Sequence, residues 1–214
     1  MKYQVICFIG PDGTGKTTQA ELLKDELVNR GYLCEYRWLR FHHFFSLPLL
    51  ALARILNFSE LKSLDDGTII GYHFFYKSKM ISFFYQWLLL LDTTIYYFFY
   101  LNLPLKLTKK IFICDRCIYD TLIDLEISTH KKIFDSFIGY LFLKLLPENL
   151  IVILFNSNIS ELKQRRLNIN LDLTIGKKIE LYNIYGNKLK IKTINANQPQ
   201  SLIKEEILCI LQII

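Results

Sequence analysis

Residues 10–17 carry the clearest chemical signal in the sequence. They read G-P-D-G-T-G-K-T and match the phosphate-binding pattern G-x-x-x-x-G-K-[ST] in full. The glycines allow turn conformations that other residues avoid, so that successive backbone N–H groups can point at one anion. The lysine supplies a positive charge for β- and γ-phosphates, and the hydroxyl after it is a ligand for Mg²⁺. The predicted binding residues for ATP are Gly10, Gly13, Thr14, Gly15, Lys16, Thr17 and Thr18.

The sequence on either side can hold such a loop. Residues 5–9 read V-I-C-F-I, a continuous apolar run that is typical of a buried parallel strand. Residues 17–30 have an apolar stripe at helical spacing, and Gly31 follows where a helix commonly ends. The start of this helix would add the positive end of its dipole to the phosphate site. A glycine-rich turn with a chance Lys-Thr pair is the alternative, but a strand and a helix around the motif favour a nucleotide site.

A carboxylate later in the chain completes the predicted metal site. Residues 111–115 read I-F-I-C-D, which indicates a buried strand with Asp115 at its C-terminal end. Ligands bind at this end of the strands in open α/β sheets. Asp115 is therefore predicted to hold Mg²⁺ together with Thr17, directly or through water. Arg116 follows at once; a surface Asp-Arg pair is the alternative, but the position after a buried strand favours a function.

The loop F-I-G-P-D-G-T-G-K-T-T-Q-A and the Asp115-Arg116 pair together resemble those of thymidylate kinases. The resemblance implies ATP-dependent phosphoryl transfer to a deoxynucleoside monophosphate, with dTMP to dTDP as the first expectation. It implies catalytic roles for Lys16, Asp115 and Arg116. In that family the loop acid, here Asp12, accepts a hydrogen bond from the 3′-hydroxyl of the acceptor's deoxyribose. The arginine after the strand acid, here Arg116, orients the acceptor and the transferring phosphoryl group.

The resemblance also implies a mobile lid that carries arginines. Some thymidylate kinases have a catalytic arginine inside the loop, at the position of Gly13, and others supply arginines from the lid. Gly13 groups this chain with the second type. Arg165 and Arg166 are the nearest candidates for the catalytic charge, within a lid segment near residues 165–178. A solvated helix face is the alternative for either arginine alone.

The acceptor side departs from the family pattern. Arg40, just past a predicted strand at residues 33–38, is either an acceptor-binding arginine or a solvated one. The family's Pro-Gly-Gly is missing after it. Thr93 follows Asp92 where the family carries an arginine that binds the acceptor phosphate. A nucleoside, another monophosphate or a non-nucleotide acceptor therefore stays open, as does a nucleotide-binding regulatory protein without transfer activity.

Length and the alternation of strands and helices predict one α/β domain, residues 1–214, with a parallel sheet and helices on both faces. The resemblance implies the three-layer fold of the P-loop nucleoside-triphosphate hydrolase type, with five strands in the order 2-3-1-4-5. Residues 150–155 and 190–194 read as the last two strands. The net charge of +6 suits polyanionic ligands such as nucleotides, and we predict no nucleic-acid partner.

Two apolar stretches lie between the second and third predicted strands. Residues 46–64 have helical spacing and end at a turn signal at 65–67. A long helix is predicted over residues 72–101. The stretch from 80 to 105 passes the length of a membrane span only by placing Asp92 at its centre, which is costly in lipid.

We therefore predict a buried helix that also supplies the face of a soluble homodimer, with no membrane partner. The five cysteines are an odd number, and no signal peptide opens the sequence, so that a cytoplasmic location is expected. Cys114 and Cys117 have C-x-x-C spacing without a second pair, and we interpret them as small core residues rather than zinc ligands.

Overall fold

The computed structural model describes residues 4–40, 42–63, 69–165 and 172–212. A five-stranded parallel sheet forms the centre of an α/β fold. Its strands are β1 (Val5–Ile9), β2 (Cys34–Trp38), β5 (Ile111–Asp115), β6 (Leu150–Asn156) and β7 (Lys192–Asn195). Strands β3 (Ser59–Ser63) and β4 (Ile69–His73) form a separate antiparallel pair.

The sheet order is β2-β5-β1-β6-β7. Numbered along the chain, this order differs from the expected 2-3-1-4-5, because the sequence did not predict the β3–β4 hairpin that lies between β2 and β5. The register pairs Asp115 with Phe8 on one side and with Trp38 on the other. The C-terminal ends of β1, β2 and β5 therefore meet at one edge of the sheet.

Helices cover both faces of the sheet because its strands alternate their side chains between two cores. In β1, Cys7 and Ile9 contribute to one core, with Leu89 and Leu122 among its residues. Ile6 and Phe8 contribute to the other, which includes Ala20 and Ile203. The helices are α1 (Lys16–Asn29), α2 (Leu47–Ile55), α3 (Lys79–Tyr97), α4 (Leu103–Leu107), α5 (Ile118–Thr129), α6 (Phe137–Leu143), α7 (Ile159–Arg165), α8 (Ile175–Lys188) and α9 (Gln200–Leu211).

The chain between α2 and α3 differs from the helical prediction. Helix α2 ends at Ile55, and Asn57 has the left-handed φ of 58° that asparagine tolerates better than most residues. The N–H of Phe58 then bonds the carbonyl of Ala53 at 2.7 Å, which closes the helix. Strand β3 follows, so that the helical pattern read over 46–64 was wrong in its second half. The turn signal at 65–67 lies outside the described residues.

Helix α3 starts at Lys79 rather than at residue 72, and the Ser78 hydroxyl accepts the N–H of Ile81 at its start. A π-helical turn at Phe98–Asn102 joins it to α4. The run Lys79–Leu107 is long and apolar enough to cross a membrane by length and composition alone. Only 28% of its most apolar window is buried within the chain. Its buried face includes Ile81, Tyr85 and Leu89, and its exposed face includes Met80, Phe83, Phe84, Trp87, Leu91, Ile95, Phe98 and Phe99.

Asp92 has a structural role in the centre of this apolar helix. Its carboxylate accepts the N–H groups of Phe44, Phe45 and Ser46 at 3.1, 2.8 and 3.0 Å, and the Ser46 hydroxyl at 2.6 Å. The side chain is 1% exposed. A buried carboxylate is acceptable here because the N–H groups that precede α2 satisfy it.

Candidate functional site

The loop between β1 and α1 requires its glycines. Gly10, Gly13 and Gly15 have φ values of 138°, 86° and 81°, in the region that favours glycine. A Cβ on Gly10 would lie 2.4 Å from the carbonyl oxygen of Phe155, so that no larger residue fits. Thr14 is buried and its hydroxyl donates to the Pro11 carbonyl at 3.0 Å. Thr17 and Thr18 are exposed in the first turn of α1.

Lys16 is folded back onto this loop. Its Nζ donates to the Pro11 carbonyl at 2.6 Å and to the Thr14 hydroxyl at 3.3 Å. The residue is 5% exposed. Burial, followed by the charge of Arg116, lowers the pKa of Lys16 to about 8, despite Asp12 nearby. The fold therefore holds a buried cation at a cost, and groups with shifted pKa values of this kind cluster at functional sites.

Asp115 ends β5 directly beside α1. Its Oδ2 accepts the hydroxyl of Thr17 at 2.5 Å and the hydroxyl of Tyr36 at 3.2 Å. Its Oδ1 is buried, and no described group hydrogen-bonds to it. The parallel pairing of β1 with β5 produces this arrangement, because it aligns Asp115 with Phe8, two residues before the loop.

The Thr17 hydroxyl and the Asp115 carboxylate, one of whose oxygens is buried and unused, form a pair of donors that fits Mg²⁺. Among the described residues, no group of three His, Cys, Asp or Glu side chains could hold a metal ion. Thr17 and Asp115 would thus supply two ligands, and phosphate oxygens and waters would supply the others. Cys114 and Cys117 are free and buried in the core, as their sequence interpretation expected.

Arg116 and Asp12, two of the three predicted acceptor-side residues, form an ion pair between the strand end and the loop. Arg116 has a left-handed φ of 70°, which is uncommon for a residue other than glycine. Burial raises the pKa of Asp12, but Arg116 and Lys16 outweigh this and hold it well below the usual range. Asp12 is therefore ionised at neutral pH and can only accept hydrogen bonds.

Asp120 supports Arg116 from the first turn of α5, and the sequence analysis did not single it out. Its Oδ1 lies 3.5 Å from Arg116 and accepts the hydroxyl of Tyr182 at 2.5 Å. Its Oδ2 accepts the N–H of Cys117 at 2.8 Å. The position three residues after Cys117 is that of a helix-capping acid, and this spacing could have identified it.

A second charged group lies past the end of β2. Arg40 Nη2 is 3.7 Å from Asp124 Oδ2, and Lys178 Nζ is 3.8 Å from Asp124 Oδ1. Lys178 Nζ also lies 3.4 Å from Asp172 Oδ2. Of these residues, Arg40 was predicted as a site residue from the sequence, and Asp124, Asp172 and Lys178 were not. Lys178, Tyr182 and Tyr185 recur at helical spacing in α8, and polar-tipped side chains on one buried face were the available signal.

Arg165 is the predicted lid arginine that the described residues include, and it does not join this group. Arg165 is exposed at the C-terminal end of α7, and it forms no hydrogen bond or ion pair with another described residue. Arg166 lies outside the described residues, as do residues 167–171 of the predicted lid. The last residues of that segment belong to α8, which begins at Ile175.

Thr93 is 3% exposed, and its hydroxyl donates to the Leu89 carbonyl within α3 at 2.7 Å. Helix α3 thus presents no cation at position 93, where the family carries an arginine.

No protein-family model matches the chain, and a comparison with curated proteins finds no significant match.

Proposed function

We propose that the protein is an ATP-dependent phosphotransferase of the P-loop type that acts on a small acceptor, with dTMP to dTDP as the first reaction to test. One observation carries the proposal. The glycine loop and the Thr17–Asp115 pair lie together at the edge of the sheet where α/β proteins bind ligands. The Gly-x-x-x-x-Gly-Lys-Thr loop alone would support nucleotide binding; the adjacent carboxylate supports metal-assisted chemistry.

The nucleotide would be held mainly by the loop. Backbone N–H groups between Gly10 and Lys16, together with the start of α1, would bind the β- and γ-phosphates. Lys16 would exchange its bond to the Pro11 carbonyl for phosphate oxygens. Thr17 and Asp115 would hold Mg²⁺, which when bound neutralises charge on the phosphates. Tyr36 would keep the Asp115 carboxylate oriented.

The acceptor would lie between the loop and α5. Asp12 is an ionised acceptor of hydrogen bonds and suits the 3′-hydroxyl of a deoxyribose. Arg116, oriented by Asp120, would stabilise negative charge on the transferring phosphoryl group. Arg40 would contribute to acceptor binding. Charge at the transition state would come in part from Arg165 or Arg166 when the lid closes over the site.

The exposed apolar face of α3, which includes Phe83, Phe84 and Trp87, would pair with a second copy in a soluble cytoplasmic homodimer. Neither a membrane nor a nucleic acid is part of the proposal.

ADP formation with a panel of acceptors tests the reaction. The panel contains thymidylate, its 3′-deoxy analogue, thymidine and other small phosphate compounds. We expect turnover with thymidylate, less with the 3′-deoxy analogue, and none in a folded Lys16→Ala protein. Turnover only with another acceptor would support kinase activity but rule out dTMP as the substrate. The buried Thr93, in place of an arginine, favours that outcome. Nucleotide binding without transfer to any acceptor would favour a regulatory protein instead.

A further inference from the structure

Helix α3 supplies no cation to an acceptor phosphate at positions 92 and 93. Asp92 is occupied by the N–H groups before α2, and Thr93 is buried against its own helix. If the acceptor carries a phosphate, another element must bind it, because an uncompensated dianion would be unfavourable beside Asp12 and Asp115.

Helix α8 brings a lysine to this side of the site. Lys178 and Arg40 approach the two oxygens of Asp124 from different elements, at 3.8 and 3.7 Å. Charge-assisted hydrogen bonds are usually about 2.7–2.9 Å long, so that both pairs are loose. The Asp124 carboxylate thus holds two cations near each other without a short bond to either.

The second carboxylate near Lys178 has other partners. Asp172 Oδ1 accepts the N–H of Thr174 at 2.8 Å and its hydroxyl at 2.6 Å, and these bonds close the turn before α8. Its contact with Lys178 through Oδ2 is longer, at 3.4 Å. An arriving phosphate oxygen could therefore bind Lys178 while the Asp172 turn stays intact.

Lys178 keeps its charge in this enclosed position. Its side chain is 13% exposed. Burial lowers its pKa, but Asp124 and Asp172 outweigh burial and raise it above the ordinary value. Asp124, between the two cations, lies one turn of α5 after Asp120, which is 3.5 Å from Arg116, and Arg116 in turn pairs with Asp12 of the loop. The two cations thus lie on the acceptor side of the loop.

We propose that Lys178 and Arg40 form the binding site for the phosphate group of a phosphorylated acceptor, with α8 supplying the charge that α3 lacks. This inference rests on the proposed function and narrows its acceptor to a phosphate monoester. It also makes Lys178 a determinant of specificity, because an acceptor without phosphate would gain nothing from it.

Inorganic phosphate tests the site without assuming the rest of the acceptor. The protein is first saturated with Mg²⁺ and a non-hydrolysable ATP analogue, which fills the loop up to the γ-phosphate position. Phosphate binding is then measured by calorimetry. We expect wild type and Lys178→Arg to bind phosphate, and Lys178→Gln to bind it at least about tenfold more weakly. Arg40→Gln should weaken it as well, and provides a second test if Lys178→Gln fails to fold.

Lys177→Gln is the matched control. Lys177 is an exposed neighbour that pairs with Glu180, and its removal should leave phosphate binding unchanged.

The binding of thymidylate and of thymidine is then measured for the same variants. Lys178→Gln should weaken the binding of thymidylate and leave that of thymidine unchanged. Equal phosphate affinity in folded Lys178→Gln, or equal losses for thymidylate and thymidine, would overturn the inference while nucleotide binding stands. Failure of wild type to bind the ATP analogue would instead overturn the proposed function, and the inference with it.

Discussion

Replacing Lys16 with methionine should make the nucleotide-free protein more stable. Methionine keeps much of the length and apolar stem of lysine but removes the buried ammonium group. Lys16 is 5% exposed, and its pKa is lowered from 10.5 to about 8, first by burial and then by Arg116. A residue kept only for structure would not be held at such a cost, whereas one that binds phosphate would.

The magnitude follows from the pKa and the contacts. Each pKa unit corresponds to about 1.4 kcal/mol, so that keeping Lys16 charged in the fold costs about 3 kcal/mol at pH 7. Its hydrogen bonds to the Pro11 carbonyl and the Thr14 hydroxyl stabilise the fold by about 1 kcal/mol each. The Pro11 carbonyl keeps its bond from Thr14 in the variant. We expect Lys16→Met to raise the free energy of unfolding by roughly 1 kcal/mol.

The gain should depend on pH. Below pH 8 Lys16 is protonated in both the folded and the unfolded chain, and the folded chain bears the whole cost. Between pH 8 and 10.5 the folded protein releases this proton while the unfolded chain keeps it, so that the cost falls as pH rises. By pH 9.5 the difference in the free energy of unfolding between the variant and wild type should have fallen by about 2 kcal/mol. Wild type should then be the more stable protein.

Urea unfolding of both proteins without nucleotide, at pH 7 and 9.5, measures these differences. Mg²⁺ and ATP should reverse the order at pH 7 by stabilising only the wild type. Destabilisation of Lys16→Met by more than about 2 kcal/mol at pH 7 would mean that Lys16 is a structural residue, and would refute the reasoning.

Three further predictions concern other parts of the molecule. Asp92→Asn should lower the free energy of unfolding by about 3 kcal/mol in urea titrations, because three N–H groups and the Ser46 hydroxyl lose the buried carboxylate that they share; a change under about 0.5 kcal/mol would contradict its role. Tyr36→Phe should raise the Mg²⁺ concentration needed for half-maximal ATP binding by about tenfold, and an unchanged Mg²⁺ dependence would remove Tyr36 from the site. Wild type should run in light scattering at twice its monomer mass of 25.3 kDa and Phe84→Glu at the monomer mass, whereas a monomeric wild type would contradict the dimer.

The sheet centre could be predicted because its residues follow simple rules. Strands β1 and β5 are continuous apolar runs, and only a buried parallel strand suits such a run. The position of Asp115 beside the loop then follows from parallel pairing. The hairpin was missed because Leu61 lies between Glu60 and Lys62 in a short strand, and because Asn57, rather than glycine or proline, follows the end of α2 at Ile55.

The charged side chains of the acceptor side could not be predicted in the same way. Asp124 and Lys178 lie on α5 and α8, far apart in sequence, and a lone charge on a helix usually indicates a solvated face. Only the packing of α8 against α5 brings them together. Asp92 was read as a charge that argued against a membrane span; its partners before α2 are likewise set by tertiary structure.

Calorimetric titration with ATP in the presence of Mg²⁺ tests the central claim most directly. It is carried out on wild type and on Lys16→Ala, after urea unfolding has shown that both are folded. We predict saturable binding of one ATP per chain by wild type and at least about 50-fold weaker binding by the variant, because the variant loses a charge-assisted contact with the phosphates. Absence of binding to wild type, or equal affinity in the two proteins, would contradict the nucleotide site.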